Sequence, residues 1–196
     1  TAIGSVILQT AVNTLGSVAV ASVTAGGKIG TFFCCPFDAM GATMATYSGQ
    51  NYGAGKYDRI TSGLKAALML GCGWAVMVMI MAYTISTCLV GFIASTQNAE
   101  ILYWGTTYLR VDMLFEMVCV WIVILRNTMQ GVGDYKTPIF SSFLELACKI
   151  VFTALFVRYF GYWGVIWTEP VTWIIMVIPL IVMLKKNPVF HQKKTA

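Results

Sequence analysis

Long apolar stretches alternate with short polar segments along most of this chain. Residues 1–27 and 66–99 contain no Asp, Glu, Lys or Arg. Each is at least as long as the roughly 20 apolar residues that a helix needs to cross a bilayer. The runs lack the alternation of apolar and polar positions that barrel strands show. The pattern therefore predicts an all-α, polytopic membrane protein with six spans in residues 1–185, at 2–25, 29–49, 62–94, 110–129, 139–156 and 165–184.

Glycine, proline and polar residues predict where the chain breaks between these spans. Gly26, Gly27 and Gly30 predict a short turn between the first two spans. Residues 97–109 combine Glu100 with aromatic side chains, which favours the headgroup region of the bilayer. Residues 186–196 are expected to form a polar tail.

Composition excludes several classes of protein. Hydrophobic residues make up 58% of the chain and charged residues 11%, whereas soluble domains carry about 25% charged residues. A soluble enzyme, a secreted disulfide scaffold and a disordered chain are therefore excluded. The six cysteines lie in apolar stretches without C-x-x-C spacing, so neither a disulfide framework nor a zinc site is expected.

The basic residues indicate how the chain crosses the membrane. They cluster in residues 50–65, in residues 126–136 and in the tail, whereas the opposite loops hold only Lys28 and Arg158. Cytoplasmic loops of membrane proteins carry an excess of Lys and Arg. We therefore expect both termini in the cytoplasm and the lipid bilayer as a partner, with no nucleic acid, although the net charge is +5.

Carboxylates inside the predicted spans are candidates for function, because ionisable groups within a bilayer are costly. Asp112 and Glu116 are four residues apart and share one face of the fourth helix. In a wet cavity they could hold a proton or attract a cation; alternatively, Arg110 neutralises Asp112 in a structural pair. Asp38 follows a helix-kinking Pro36 and either contributes to the same cavity or lies in water near the outer end of its span.

Other candidates in the spans are polar or aromatic. Gln9 and Asn13 share a face of the first span, where they either line a cavity or bond to a neighbouring helix. Phe37 and Phe115 could stack on a bound cation, with a gain of about 0.5–2 kcal/mol. Glu145 and Lys149 are expected to form an intrahelical ion pair. Glu169 precedes Pro170, which predicts a break in the sixth span.

Two glycine-rich loops repeat one theme two spans apart: glutamine, paired glycines, charge and a helix start. Neither loop has the G-K-[ST] ending of a phosphate-binding loop, so we expect their glycines to permit sharp turns and close helix ends. The residues assigned to this structural role are Gly49, Gln50, Asn51, Gly53, Gly55, Asp58, Arg59, Gln130, Gly131, Gly133, Thr137 and Pro138.

These loops and the start of the chain carry a family resemblance. The stretches GQNYGAGKYDR, RNTMQGVGDYKTP and LQTAVNTLGSVAVA resemble the multidrug and toxic compound extrusion (MATE) family, and its DinF-like bacterial branch in particular. Their order is similar to the C-terminal six-helix lobe of a twelve-helix transporter. The resemblance implies a bacterial inner-membrane antiporter that exports organic, often cationic compounds in exchange for H⁺ or Na⁺, with no other cofactor.

The resemblance also implies an incomplete transport unit. Alternating access needs two lobes, so an N-terminal six-helix lobe is expected as a partner, together with a small-molecule substrate. Some family branches carry an acid in the first span of this lobe, where this chain has Gln9 and Asn13. A flippase for lipids or lipid-linked saccharides, from the same superfamily, stays open as an alternative. A membrane enzyme or scaffold is a further alternative, although no H-E-x-x-H or G-x-S-x-G motif is present.

Overall fold

The computed structural model describes residues 2–190, which form a bundle of six helices with no strand among those residues. A single 3-10 turn, Pro188–Phe190, follows the last helix. The all-α prediction is confirmed. The helices are α1 (Ala2–Asn13), α2 (Ser17–Gly53), α3 (Tyr57–Ala94), α4 (Ala99–Gly131), α5 (Lys136–Phe160) and α6 (Tyr162–Lys186).

The first turn lies in a different place from the one expected. The chain breaks at Gly16, whose φ of 95° suits glycine, and α2 then continues without interruption through residues 26–30 and Pro36. The predicted spans 2–25 and 29–49 are therefore replaced by a 12-residue α1 and a 37-residue α2. At about 1.5 Å per residue, the described part of α1 covers only about half of a bilayer.

The glycines that suggested a turn have a packing role instead. A Cβ placed on Gly26 would lie 2.8 Å from Cδ1 of Tyr108, and a Cβ on Gly105 would lie 3.2 Å from the backbone oxygen of Ser22. Both distances are shorter than the 3.4–4 Å of an ordinary Cβ contact. Gly26 and Gly105 therefore allow α2 and α4 to approach closely, which is a common use of small residues between membrane helices.

Helix α4 lies at the centre of the bundle, and α2, α3, α5 and α6 all contact it. The buried side chains of α4 form much of the core on both of its flanks. Residues 99–109, which were expected at the membrane surface, form its first turns, beginning with Asn98, whose side chain accepts hydrogen bonds from two backbone N–H groups. The buried core side chains of this helix are Leu109, Met113, Val120, Ile122, Ile124, Leu125 and Met129.

Helices α5 and α6 form a hairpin around Gly161. Helix α5 contains one π-helical turn at Thr153–Val157. Helix α6 continues through both Pro170 and Pro179, so the break expected at Pro170 is absent. Gly164 lies directly against the backbone of Phe156, and any side chain there would collide with it. The two helices therefore pack tightly where the chain reverses.

The two glycine loops make turns with the same hydrogen bonds. In the first, the N–H groups of residues 54, 55 and 56 donate to the carbonyls of residues 50, 52 and 51. In the second, residues 132, 133 and 134 donate to residues 128, 130 and 129. Gly55 and Gly133 both have positive φ, at 68° and 83°. The repeated sequence theme thus corresponds to one repeated helix ending.

The two glycine loops and the start of the tail meet at one end of the bundle. Ile60, Val132 and Val189 form a small buried cluster there. The described part of the tail therefore packs against the bundle, and residues 191–196 lie outside the described residues. Four helices, α2, α3, α5 and α6, are long and apolar enough to cross a membrane.

Candidate functional site

The candidate site lies where α2 crosses the middle of α4. Glu116 is near the centre of α4 and is 0% exposed. Its Oε1 accepts a hydrogen bond from the thiol of Cys34 on α2, with the two atoms 3.2 Å apart. Its Oε2 is buried and has no hydrogen-bond partner among the described residues. A buried oxygen without a partner is costly, and Glu116 is the one acid among the described residues with such an oxygen.

Asp112, one turn before Glu116, also faces α2. A Cβ placed on Gly30 would lie 3.6 Å from Oδ2 of Asp112, so the glycine leaves the carboxylate room beside α2. Arg110 points elsewhere: its guanidinium donates to Ser86 Oγ at 3.2 Å and to two backbone carbonyls of α3. Arg110 therefore pairs with α3 and does not neutralise Asp112.

Asp38 lies on the outer surface of α2. It belongs to a row of exposed residues spaced three or four apart, which places them on one side of the helix. We call this row the α2 polar face; it comprises Thr24, Lys28, Thr31, Cys35 and Asp38.

The α2 polar face differs from the outward surface of α3, a helix of similar length. Among the described residues, α2 exposes two large hydrophobic side chains, Phe32 and Tyr52. Helix α3 exposes nine: Met69, Leu70, Val76, Met77, Ile80, Tyr83, Ile85, Phe92 and Ile93. The surface of α3 suits lipid, whereas a face with Lys28 and Asp38 does not.

The remaining predicted site residues have separate surroundings. Phe37 is 1% exposed and packs in the core beside Met176 and Leu180. Phe115 is half-buried, with its ring 5.7 Å from that of Trp167 on α6. Gln9 and Asn13 are exposed on α1 and bond to each other at 3.2 Å. The structure thus brings Asp112 and Glu116 together, and places the two aromatic rings outside that contact.

A second group of charges joins α4, α5 and α6. Lys149 lies 2.8 Å from Glu169 on α6 and 3.5 Å from Glu145, and Arg126 on α4 lies 3.3 Å from Glu145. The intrahelical pair expected between Glu145 and Lys149 is present. Its two cross-helix partners could not be found from spacing along one helix. These four side chains carry two positive and two negative charges, and this pairing reduces the cost of burying them.

The residues of the two glycine loops stabilise helix ends. Asn51 is buried and its amide donates to the Tyr47 carbonyl at 2.8 Å, and Thr137 donates to both oxygens of Asp134. A Cβ on Gly49 would lie 3.2 Å from the Gly131 carbonyl. Gly53, Asp58, Arg59 and Gln130 are exposed, whereas Pro138 is half-buried.

Sequence reasoning did not identify Cys34. Its neighbours along the chain give no signal for it, since its partner is 82 residues away. Among the described residues, no group of three or more His, Cys, Asp or Glu side chains is arranged to hold a metal ion. The arrangement that remains is a buried carboxyl group with one free oxygen, separated by α2 from an exposed polar face.

Comparisons with known proteins agree with this architecture. The family model MatE matches residues 1–155. No curated protein sequence matches the chain. A structure of MATE in the bent conformation is 15% identical, with a TM-score of 0.86; the match covers 99% of this chain and 45% of that one. A structure described as the outward-facing conformation of a multidrug resistance MATE family transporter is 17% identical, with a TM-score of 0.81, over 94% of this chain and 43% of that one.

A third structure is described as a MOP superfamily transporter from Pyrococcus furiosus whose binding pocket has reverse polarity, suggesting a different function. It is 15% identical, with a TM-score of 0.81, over 93% of this chain and 40% of that one. The chain thus spans less than half the length of the structures it matches. Because the family model covers most of the sequence and the fold matches throughout, this multi-pass membrane protein belongs to the MATE family of transporters and has the fold of one six-helix lobe.

Proposed function

We propose that the chain is the C-terminal lobe of a secondary active transporter that exports organic, often cationic compounds in exchange for H⁺ or Na⁺. The observation that carries this proposal is the fully buried Glu116, whose Oε2 has no partner among the described residues. Carboxyl groups inside a membrane commonly mark proton and ion pathways. A free carboxyl oxygen can take a proton or an ion without breaking an existing bond.

The α2 polar face supports a cavity between two lobes. An exposed Asp38 and Lys28 would be costly against lipid, so this face needs water or protein beside it. The matched structures are more than twice as long as this chain, which supports a second lobe opposite the face. Gln9 and Asn13 are also exposed, on α1.

Exchange then follows from competition for the acidic groups. Asp38 on the polar face attracts a cationic substrate, and Asp112 and Glu116 lie behind α2, where they can bind the coupling ion. Pro36 lacks an N–H, which leaves the backbone carbonyl of Phe32 without its usual helical donor. Binding of the coupling ion lowers the negative charge that holds the substrate, so the two bind alternately.

A flippase of the same superfamily is the second candidate. A pyrophosphate-linked lipid requires basic groups in the cavity. Lys28 is the only Lys or Arg of α2. The carboxyls Asp38, Asp112 and Glu116 lie near the crossing with α4, and the cation that faces Asp112, Lys149, is paired with Glu169 at 2.8 Å. The balance of charge therefore favours a cationic substrate.

We place the glycine loops in the cytoplasm of a bacterial cell, with α2 running inward. This orientation rests on the excess of Lys and Arg at that end of the bundle. It puts the chain reversal at Gly161 on the outer side, together with the turn at Gly16.

The test uses the complete two-lobe transporter, reconstituted in vesicles with an imposed pH or sodium gradient. Glu116→Gln and Asp112→Asn should each lower export of a cationic dye at least tenfold, with expression unchanged. Glu100→Gln is the matched control, because Glu100 is an exposed acid in the first turn of the same helix, and it should export at the wild-type rate. Wild-type export by both Glu116→Gln and Asp112→Asn would refute the proposed role of this lobe in coupling.

A further inference from the structure

The two oxygens of the Glu116 carboxyl group have different surroundings. Oε1 accepts the hydrogen bond from the Cys34 thiol at 3.2 Å. Oε2 is completely buried and has no partner among the described residues. The oxygen that is bound is held by α2, the helix that carries the polar face. The other oxygen is the one that can bind and release a proton.

We propose that Cys34 is a positioning residue for proton exchange at Glu116: its thiol holds Oε1 while the proton binds to and leaves from Oε2. This inference rests on the proposed function, because it concerns the same carboxyl group. In the protonated state the thiol bonds to a neutral acid. After the proton leaves to water, the thiol bonds to a carboxylate, and hydrogen bonds to ionised acceptors are shorter and stronger.

The strength of the hydrogen bond between Cys34 and Glu116 therefore depends on whether Glu116 is protonated, and α2 carries the donor of that bond. Loss of the proton strengthens the bond between Cys34 and Glu116, and binding of the proton weakens it. Cys35, the next residue, is part of the α2 polar face. A change in how firmly α2 is held at Cys34 thus occurs one residue away from the surface proposed to meet the substrate.

Cys35 provides a matched control within the same helix. Its thiol is exposed and donates to the backbone carbonyl of Thr31 at 3.4 Å. A carbonyl in the helix backbone does not titrate, so the hydrogen bond of Cys35 should not change when Glu116 ionises. The two adjacent thiols differ in exposure and in whether the acceptor gains and loses a proton.

Several other ionisable groups act electrostatically on this region and are not substituted in the experiment. They are Asp38 on the outer surface of α2, Asp112 and Cys119 on α4, and Glu169 on α6, with Lys149 of α5 acting on Asp112. Helix α3 contributes Trp74, whose indole N–H donates to the Phe33 carbonyl. Since these groups also influence Glu116, the test must compare variants that alter only the thiol.

The first measurement is infrared spectroscopy of the complete two-lobe transporter in lipid nanodiscs, in which the S–H stretch of Cys34 is followed as the pH is changed. The stretch should move to lower frequency as Glu116 ionises, because the S–H bond weakens when its acceptor strengthens. It should not move in Glu116→Gln, and the stretch of Cys35 should not move in any variant. A Cys34 band that is the same at all pH values in the wild type would overturn the proposal.

The second measurement follows the carboxyl C=O stretch of Glu116 in the same samples. Cys34→Ala removes one of two thiols that favour the ionised form of Glu116, the other being Cys119. The proton titration of Glu116 should therefore move to higher pH by about one unit, a tenfold change in proton affinity. Cys34→Ser keeps a donor and should titrate at or below the wild-type midpoint, and Cys35→Ala should match the wild type. Equal midpoints in Cys34→Ala and the wild type would refute the role of the thiol.

These results are independent of transport. Glu116→Gln could abolish export while Cys34→Ala leaves the titration unchanged, in which case the proposed function stands and the role of Cys34 is wrong. Conversely, a titration shift in Cys34→Ala together with wild-type export by Glu116→Gln would retain the contact and refute its use in coupling.

Discussion

Removing the charge of Lys149 tests the energetic role of the buried charge group. The side chain of Lys149 is 6% exposed, and that of its partner Glu169 is 15% exposed. Lys149→Met keeps the length of the side chain and removes the ammonium group. Glu145 retains Arg126 at 3.3 Å, whereas Glu169 loses the only ion-pair partner that the described residues give it.

The expected cost follows from the burial of the charge that is left behind. Removing one partner of a buried ion pair typically destabilises a protein by about 3–5 kcal/mol. Because both side chains here are largely buried, we expect Lys149→Met to lower the free energy of unfolding by roughly this amount. The double variant Lys149→Met with Glu169→Gln removes the stranded charge and should recover about 0.5–3 kcal/mol.

The assay is reversible unfolding of the chain in bicelles, with the two single variants and the double variant forming a thermodynamic cycle. Lys136→Met is the control, since Lys136 is an exposed lysine in the first turn of the same helix and its loss should change stability by no more than about 0.5 kcal/mol. If Lys149→Met is as stable as the wild type, or if the double variant is no more stable than the single one, the charge group does not hold the bundle together.

Two further predictions concern packing and orientation. In the same unfolding assay, Gly26→Ala should destabilise the chain by about 1–3 kcal/mol, because its Cβ would lie 2.8 Å from Tyr108. A Cβ on Gly27 would have nothing within 4 Å. Gly27→Ala should therefore be neutral or stabilising by up to about 1 kcal/mol. Equal effects of the two substitutions would contradict the close approach of α2 and α4. Orientation can be tested with single cysteines in a background without the native ones, by adding an impermeant thiol reagent outside intact cells. A cysteine at Lys136 should resist the reagent, whereas one at Gln97, at the opposite end of the bundle, should react. The reverse pattern would invert the proposed topology.

Hydropathy was sufficient to locate helices but could not distinguish between two uses of glycine. The predicted end of the third span at residue 94 agrees with the end of α3, and the predicted sixth span, 165–184, lies within α6. By contrast, Gly26 and Gly30 lie in the middle of α2, and Gly16 makes the turn. A glycine in an apolar run can form a turn or can let another helix approach closely. Which of the two occurs depends on how the neighbouring helix packs.

The candidate site was predictable only in part, for a related reason. Spacing places Asp112 and Glu116 on one face of α4, because positions four apart are neighbours on a helix. It gives no information about what that face meets. The contact with Cys34, the room beside Gly30 and the direction of Arg110 towards α3 all depend on how the helices pack. Long-range partners such as Glu169 for Lys149 are hidden from a single sequence in the same way.

Helix α2 combines two demands that explain why its sequence is neither uniformly apolar nor regularly amphipathic. One side carries glycines that meet α4 along most of its length, from Gly26 against Tyr108 to Gly49 against the carbonyl of Gly131. The opposite side carries the polar face, with Asp38 exposed. Contacts spread over this length hold α2 against α4. Pro36 lacks the N–H that a helix uses for its internal hydrogen bonds and lies two residues from Cys34. We therefore expect any bending of α2 that accompanies a shift at Cys34 to occur at Pro36, while the glycine contacts on either side stay in place.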